Sequence, residues 1–496
     1  MTQNLPLADL EREIERLSAR TTSPEARATD WFLLGQALLQ HPAADSQRRQ
    51  MALMALVLAY QMDASCAPAL LSTIGQTAFG LRAWSLVEEA TSVLLQQDAT
   101  DVNALMWRAA ALQSKNEFAE AERLLREVVR LRPDDPLTHH KLALSFKEQG
   151  RFAEAEAGLR HALALEPDNI YTRFDLSELE LYNADYAAGW PRYEVRVAFA
   201  DNPRSAQHVL AKQSPYWQGE SLAGKVLVVY GEQGLGDCLW AVRFLPLLAQ
   251  RARSEGGRVI FGHDGPLRHL IERMLPDDLV LETSLETHPD FHCGLMSLPL
   301  RLGVFSAEGW GQPYLSADPE RAARWRERVS AVAAEGRPKV GLVWNGNPGH
   351  IRDARRSMAP EQLEPLLQVP GVTFFALSPG RGSTVEQWRT RGMEVIDLTA
   401  QFETGFDDVA ALLVNLDLVV TIDSGPAHLA GALGVPTCLM IDYISAWFWG
   451  HQNQRTPWYD SIELLRQPEI GAWAPVLERV RQKLVALASS RPGEVQ

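Results

Sequence analysis

The chain predicts a helical-repeat solenoid followed by two α/β domains whose parallel sheets face each other across a cleft. Three observations carry this expectation. A block of 34 residues recurs in the first half: Phe118-Ala119-Glu120-Ala121-Glu122 returns as Phe152-Ala153-Glu154-Ala155-Glu156, and Leu131-Arg132-Pro133-Asp134 as Leu165-Glu166-Pro167-Asp168. In the second half, short apolar runs alternate with helical patterns, as they do in a parallel sheet wrapped by helices. Two of these runs end in turns suited to ligands. Val226–Tyr230 leads into Gly231-Glu232-Gln233-Gly234-Leu235-Gly236-Asp237, and Leu416–Ile422 leads into Asp423-Ser424-Gly425-Pro426-Ala427-His428. Ligands bind open α/β sheets at such places, because helix N–H groups and the positive end of the dipole face the crevice.

Composition narrows the function classes. At 496 residues the chain exceeds one ordinary domain, and 46% hydrophobic with 22% charged residues is a globular balance. A net charge of −14 argues against nonspecific binding to nucleic acid or to an acidic membrane. No apolar run reaches the ~18–20 residues of a membrane span, and Met1–Arg20 is polar rather than signal-like, so a cytoplasmic location is expected. Cys66, Cys238, Cys293 and Cys438 are scattered and suggest neither disulfides nor a zinc site.

The repeat region is expected over residues 1–197. Val102–Asp135 aligns with Pro136–Asn169, with small residues inside the helices and a proline at each repeat end, a pattern that resembles the tetratricopeptide repeat. Pro68–Asp101 fits the period loosely, with Trp84 at the Phe118 position, and Trp31–Gly35 reads as the start of an earlier copy. A third clear copy begins near Ile170 but is altered: Tyr186-Ala187-Ala188-Gly189-Trp190 replaces the Phe-Ala-Glu-Ala-Glu run, and the stretch to Arg196 reads as a cap or joint. Such arrays either present a concave surface to a protein partner or serve as packing platforms.

Residues 198–216 read as a linker. One α/β domain is then expected over 217–335, with strands at Lys225–Tyr230, Arg258–Gly262, Leu279–Leu281 and Asp290–Cys293, and helices over Asp237–Ala252 and Pro266–Met274. Residues 317–335 read as a charged helical bridge. A second domain over 336–496 carries strands at Lys339–Trp344, Val372–Leu377, Glu394–Asp397, Leu416–Ile422 and Thr437–Ile441. Its helices include Phe406–Asn415 and a last one, Trp473–Ser489, that is expected to cross back to the first α/β domain.

Several motifs together carry a family resemblance. They are Gly234-Leu235-Gly236-Asp237, Asp290-Phe291-His292-Cys293 with Ser297-Leu298-Pro299, Trp344-Asn345-Gly346-Asn347-Pro348 with Arg352-Asp353 and Arg355-Arg356-Ser357, Asp423 to Ala430, and Trp447 with Trp458-Tyr459. With them, the chain resembles tetratricopeptide-containing bacterial glycosyltransferases of the GT-B fold, and its second half is similar to the heptosyltransferase-like glycosyltransferase family 9. The resemblance implies two Rossmann-like domains, with a nucleotide-sugar held by the C-terminal one and the acceptor presented by the N-terminal one. Repeats joined to a transferase also resemble the architecture of flagellin-modifying enzymes. A protein acceptor captured by the repeats is the implied partner, with flagellin the first candidate by analogy of architecture, and a lipopolysaccharide acceptor fits poorly.

Sugar transfer needs a base at the acceptor hydroxyl and charge relief on the departing phosphate. By the resemblance Asp237 is the base; by position it is also a helix N-cap, and one role does not exclude the other. Glu232 is the weaker alternative base, and Gly234 and Gly236 let substrate approach the backbone on the acceptor side. On the donor side, Ser424 and Gly425 offer N–H groups at a helix start; His428 would point to the same space or be an ordinary satisfied histidine, and Asp423 suits sugar or ribose hydroxyls, with turn and helix capping as the alternative. Asn345, Arg352 and Arg356 lie on a loop after a buried strand, where a guanidinium would relieve a diphosphate without a metal; a solvated charged loop is the alternative reading. Ser378 ends a strand and would line the base or ribose pocket. Asp407 and Asp408 read as helix caps, and Trp447, Trp449, Trp458 and Tyr459 as core.

No P-loop lysine, HExxH, nucleophile elbow or full dinucleotide fingerprint is present, and no acid-x-acid metal pair stands in a suitable loop. The expectation is a metal-independent protein glycosyltransferase with no cofactor beyond its donor. The rival reading is a catalytically inactive repeat scaffold that binds a protein partner.

Overall fold

In a computed structural model of the chain, the described residues are 6–199, 209–262, 265–276, 279–282, 288–350, 352–450 and 454–490. They form two compact units, Met1–Asn169 and Ile170–Gln496.

The described residues of the first unit form nine helices: Leu7–Thr21 comes first, and the other eight follow as four consecutive packed pairs. The helices of the two clear copies start 34 residues apart, Val102–Ser114 and Phe118–Leu131 against Pro136–Glu148 and Phe152–Leu165. Ala104, Ala109, Ala121, Ala143 and Ala155 are wholly covered, so close helix approach sets the spacing. Asp101 and Asp135 open equivalent helices by accepting backbone N–H bonds. The turns also keep the period. Arg82, Asn116, Gly150 and Ala184 all have left-handed backbone, with φ of 55°, 63°, 74° and 62°. The residue after each one bonds back to the preceding helix: Ala83 to Ala78, Glu117 to Leu112, Arg151 to Phe146 and Asp185 to Glu180. A glycine stands at only one of the four, so the sequence hides a turn that the backbone repeats.

The second unit opens with the altered copy, helices Ile170–Tyr182 and Tyr186–Tyr193. Two parallel sheets follow. The first comprises β1 (Val226–Tyr230), β2 (Arg258–Gly262), β3 (Leu279–Glu282) and β4 (Phe291–Gly294), in the order β3-β2-β1-β4. The second comprises β5 (Lys339–Leu342), β6 (Thr373–Ala376), β7 (Val395–Asp397), β8 (Leu418–Ile422), β9 (Thr437–Ile441) and β10 (Ile462–Arg466), in the order β10-β9-β8-β5-β6-β7. The central strands are buried on both faces, which is why they read as unbroken apolar runs. Strand order reverses at β1, between β2 and β4, and at β5, between β6 and β8. The loops leaving β1, β5 and β8 therefore sit at the switch points where α/β crevices open.

Several expectations are corrected. The copy at 170–193 belongs to the second unit rather than to a repeat domain ending at 197: Trp190 is buried, donates its indole N–H to the Val304 carbonyl at 2.9 Å, and packs on Trp240 and Trp447. Of the linker, residues 200–208 lie outside the described residues. The remainder before 217 is not loose, because Leu210 is buried with Val228, Tyr230 and Ile260, and Tyr216 bridges to His292. The helix expected over Asp237–Ala252 is two helices, Leu235–Ala241 and Leu245–Glu255, with Pro246 at the start of the second. The terminal helix, Trp473–Ser490, does not cross back; it packs on the Pro360–Leu367 helix and on β10, with Lys483 2.6 Å from Glu463. Strand β10 was not anticipated; it pairs in register with β9 from Ile462–Thr437 to Arg466–Ile441.

Candidate active site

The loops after β1 and β8 lead into helices whose starts touch. A Cβ added to Gly236 would lie 2.9 Å from Cδ2 of His428 and 3.8 Å from the Cα of Gly425. The Leu235–Ala241 helix thus meets the Gly425–Leu433 helix backbone to side chain, and glycine is required at 236 by space rather than by dihedral angle. Gly236→Ala is expected to lower stability by about 1–3 kcal/mol, since neither helix can yield without moving its sheet; denaturant unfolding checks this.

Asp237 stands in the first turn of its helix, where Oδ2 accepts the Gly234 N–H at 2.8 Å. It caps, as expected, but it is also crowded. Desolvation, with smaller contributions from the charges of Asp423 and Glu232, raises its pKa to about 6, against the bond from Gly234. As a whole, the residue is half-buried. These are the properties of a general base.

Glu232 is not a second base. Its oxygens lie 2.7 and 3.1 Å from the Arg196 guanidinium, and Oε1 also accepts the Met296 N–H at 2.9 Å. Arg196 is itself buried and bonds Glu194 and Ser297. Glu232 is therefore a brace under the loop.

His428 is also corrected. It is 4% exposed, and its Nδ1 lies 2.9 Å from the Tyr459 hydroxyl. The ring sits against Trp449 and Phe448. Burial, then the positive charge of Arg243, lowers its pKa to about 3. It is a neutral, packed residue: Nδ1 is held by Tyr459, and the Cδ2–Nε2 edge faces Gly236 at the contact between the two helix starts. The start itself remains: Ser424 has extended backbone, its side chain does not cap the helix, and its Oγ bonds the Ile422 carbonyl at 3.1 Å. Gly425 lies under the Phe406 ring, 3.4 Å from a notional Cβ.

The loop after β5 is more ordered than a solvated run of charge. Arg356 donates to the Asp423 carbonyl at 2.9 Å and pairs with Asp353 at 3.3 Å, crossing close to Gly346. Arg352 pairs with Asp442 at 3.0 Å and also bonds the Ile444 carbonyl. His350, whose pKa is lowered by burial and then by the Arg356 charge, accepts the Arg352 N–H at 3.2 Å. Of the two arginines, Arg356 is the one tied to the loop of Asp423. Asn345 and Ser378 act together. In the amide orientation that satisfies both sides, Asn345 donates to Ser378 Oγ at 3.2 Å and accepts from Arg381 at 3.0 and 3.2 Å. Ser378 is thus a buried support, and Arg381 is a residue that sequence reasoning missed; its place three residues past Ser378, at the carboxyl end of β6, was the available signal.

Arg243 was missed as well. This buried cation donates to the carbonyls of Trp240, Trp310 and Trp458 at 2.8 Å each, and to the Tyr314 hydroxyl at 3.0 Å. It lies 4.4 and 4.6 Å from the ring centres of Tyr314 and Tyr459. Trp447, Trp449, Trp458 and Tyr459 are core residues around it, as expected. Asp408 accepts the Glu403 and Thr404 N–H groups at 2.6 and 2.7 Å and pairs with Arg321; Asp407 instead pairs with Arg273.

The chain has likenesses among known proteins. Residues 367–469, which include β8, the Asp423 turn and β10, match Glycosyltransferase family 9 (heptosyltransferase). The chain is 29% identical over 333 residues to Protein FlbA of Caulobacter vibrioides, an alignment that covers 61% of this chain and 53%, about half, of that protein. Among solved structures it is similar to a family 9 glycosyl transferase from Veillonella parvula, with 14% identity, 54% of this chain, 99% of that chain and a TM-score of 0.41. A thermophilic TPR protein from Thermus thermophilus is also similar, with 21% identity, 37% of this chain, 96% of that chain and a TM-score of 0.30. The chain thus joins a helical array of 34-residue period, similar to tetratricopeptide repeats, to a parallel α/β unit whose segment 367–469 matches glycosyltransferase family 9.

Proposed function

We propose that the protein transfers a sugar from a nucleotide-sugar to a hydroxyl of a protein acceptor held by the repeats. The observation that carries this reading is Asp237: a desolvated carboxyl, with its pKa raised to about 6, beside the start of the Gly425–Leu433 helix that leaves the second sheet. In the proposed step the acceptor oxygen bonds the anomeric carbon and the bond from that carbon to the phosphate oxygen breaks. The acceptor proton passes to Asp237, and the nucleoside diphosphate departs with the electron pair. The N–H groups at Ser424 and Gly425 and the guanidinium of Arg356 relieve the phosphate charge, and Asp423 faces the sugar or ribose. No metal is needed in this scheme. The repeat array supports a protein acceptor, and flagellin is the first to try.

A thermal-shift series with UDP, GDP, ADP, CMP and their sugars tests the reading, with and without a chelator. A ligand that binds the folded form alone raises Tm, by about 2.7 kcal/mol of stabilisation at a hundred times its Kd. The expected result is a selective shift with one nucleotide that survives chelation and is lost in Arg356→Ala. No shift at millimolar concentration would favour the scaffold that only binds a partner.

A further inference from the structure

We propose that Tyr193 and Gln233 form a clamp by which the altered repeat copy holds the base loop in its working shape; the inference rests on the transfer reading above. Gln233 lies between β1 and Asp237 and has φ of +62°, a left-handed conformation that is strained for a residue with a Cβ. Something must hold it there. The Tyr193 hydroxyl lies 2.8 Å from Nε2 and 3.1 Å from Oε1 of the Gln233 amide. The neighbouring residue, Glu232, is gripped by Arg196, whose guanidinium stacks 4.9 Å over the Tyr193 ring. Two consecutive loop residues are thus fixed by side chains three positions apart on one segment.

Tyr193 is itself immobilised. It is buried, stacks on Phe174 at 5.5 Å, and meets Trp447 and Trp190 edge-on. The clamp is therefore anchored in the repeat-derived helices on one side and in the segment after β9 on the other. Its output is the next stretch of loop, where the Gly234 N–H meets Asp237. Charged and titratable groups facing that carboxyl are Asp423, Glu232, Tyr193 and Cys238. Tyr193 touches no reacting atom in this scheme. It acts through the loop, and it is a positioning residue. The motif reading explained Gly234, Gly236 and Asp237 but gave Gln233 no role, and it treated Tyr193 only as part of a joint.

The test is Tyr193→Phe, which keeps the ring packing and removes one hydroxyl, alongside Gln233→Gly, which releases the strained backbone. Both variants should fold with near-native Tm and bind donor nucleotide within about twofold of the parent. Expected results are a kcat about tenfold lower with little change in donor KM, and a double variant no worse than the poorer single one, since both remove one interaction. A carboxyl-labelled NMR titration, with Asp237→Asn to identify the resonance, should show Asp237 titrating at least one pH unit lower in either variant, as the loop relaxes and the carboxyl is rehydrated. That shift would support the clamp even in a protein found to transfer no sugar, and in that case only the transfer reading fails. Parent-like kcat and parent-like titration in Tyr193→Phe would overturn the clamp.

Discussion

Asp237→Asn is expected to reduce sugar transfer by about a thousandfold, within the ~10²–10⁴ range of a positioned general base, while donor affinity changes by less than about twofold. Asparagine keeps an oxygen for the Gly234 N–H, so the helix start survives and the loss reports chemistry. The pH dependence supplies a second check. The Asp237 pKa is raised from the usual 3.8 to about 6, chiefly by desolvation. The reactive carboxylate is lost below that value, so kcat should fall about tenfold per pH unit on the acid side, starting near 6. The sign for stability is opposite. The folded chain holds the Asp237 proton more tightly than the unfolded chain, so the stability this provides is fully present below 3.8 and lost as pH rises through about 6. At pH 8 the charged, desolvated carboxylate is a net cost. Asp237→Asn should therefore melt higher than the parent at pH 8, and the difference should shrink towards pH 4. A variant that lost activity and melted lower at pH 8 would mark Asp237 as a structural cap.

Arg243→Met is expected to be the most damaging single change in the α/β unit. Three carbonyls and the Tyr314 hydroxyl lose their donor in a site that admits little water. Each orphaned buried acceptor costs about 1–3 kcal/mol, and partial relaxation brings the sum to about 3–5 kcal/mol. At about 2 °C per kcal/mol for a unit of this size, Tm should drop by about 6–10 °C. Arg243→Lys should recover less than half, because one ammonium cannot reach four acceptors spread over 240, 310, 314 and 458. The damage should extend to activity. The residues Arg243 joins hold Tyr459, Tyr459 holds His428, and His428 fills the contact with Gly236. Unfolding followed separately by helical signal and by tryptophan fluorescence would locate the loss, since Trp240, Trp310 and Trp458 touch Arg243 and Trp190, Trp447 and Trp449 pack on its neighbours. A parent-like Tm in Arg243→Met would mean that water or neighbouring donors replace the guanidinium.

The architecture was legible because it is written in local periodicities. The 34-residue spacing of alanines and prolines announced the hairpins, and apolar runs such as Val226–Tyr230 and Leu418–Ile422 announced buried parallel strands. β10 was hidden because Ile462–Arg466 mixes glutamate and arginine with its apolar residues, as an edge strand can. The positions of the candidate loops were also legible, since a glycine-rich turn between strand and helix signals a switch point in any parallel sheet.

Which of the loop residues face substrate and which face protein was not legible. By residue type, His428 and Glu232 look as chemical as Asp237. The fold gives His428 to Tyr459 and the tryptophans, gives Glu232 to Arg196, and leaves Asp237 a desolvated carboxyl near the charges of Asp423 and Glu232. Arg243, Arg381 and Tyr193 carry no motif at all; their importance comes from partners up to 215 residues away in the chain. The sequence by itself determined the elements, their order and the turns where a ligand can sit, because helix period, strand burial and turn chemistry are properties of neighbours along the chain. The tertiary structure alone decided which polar side chains are braced and which are poised, because desolvation and ion pairing depend on what distant segments bring within a few ångströms of a charge.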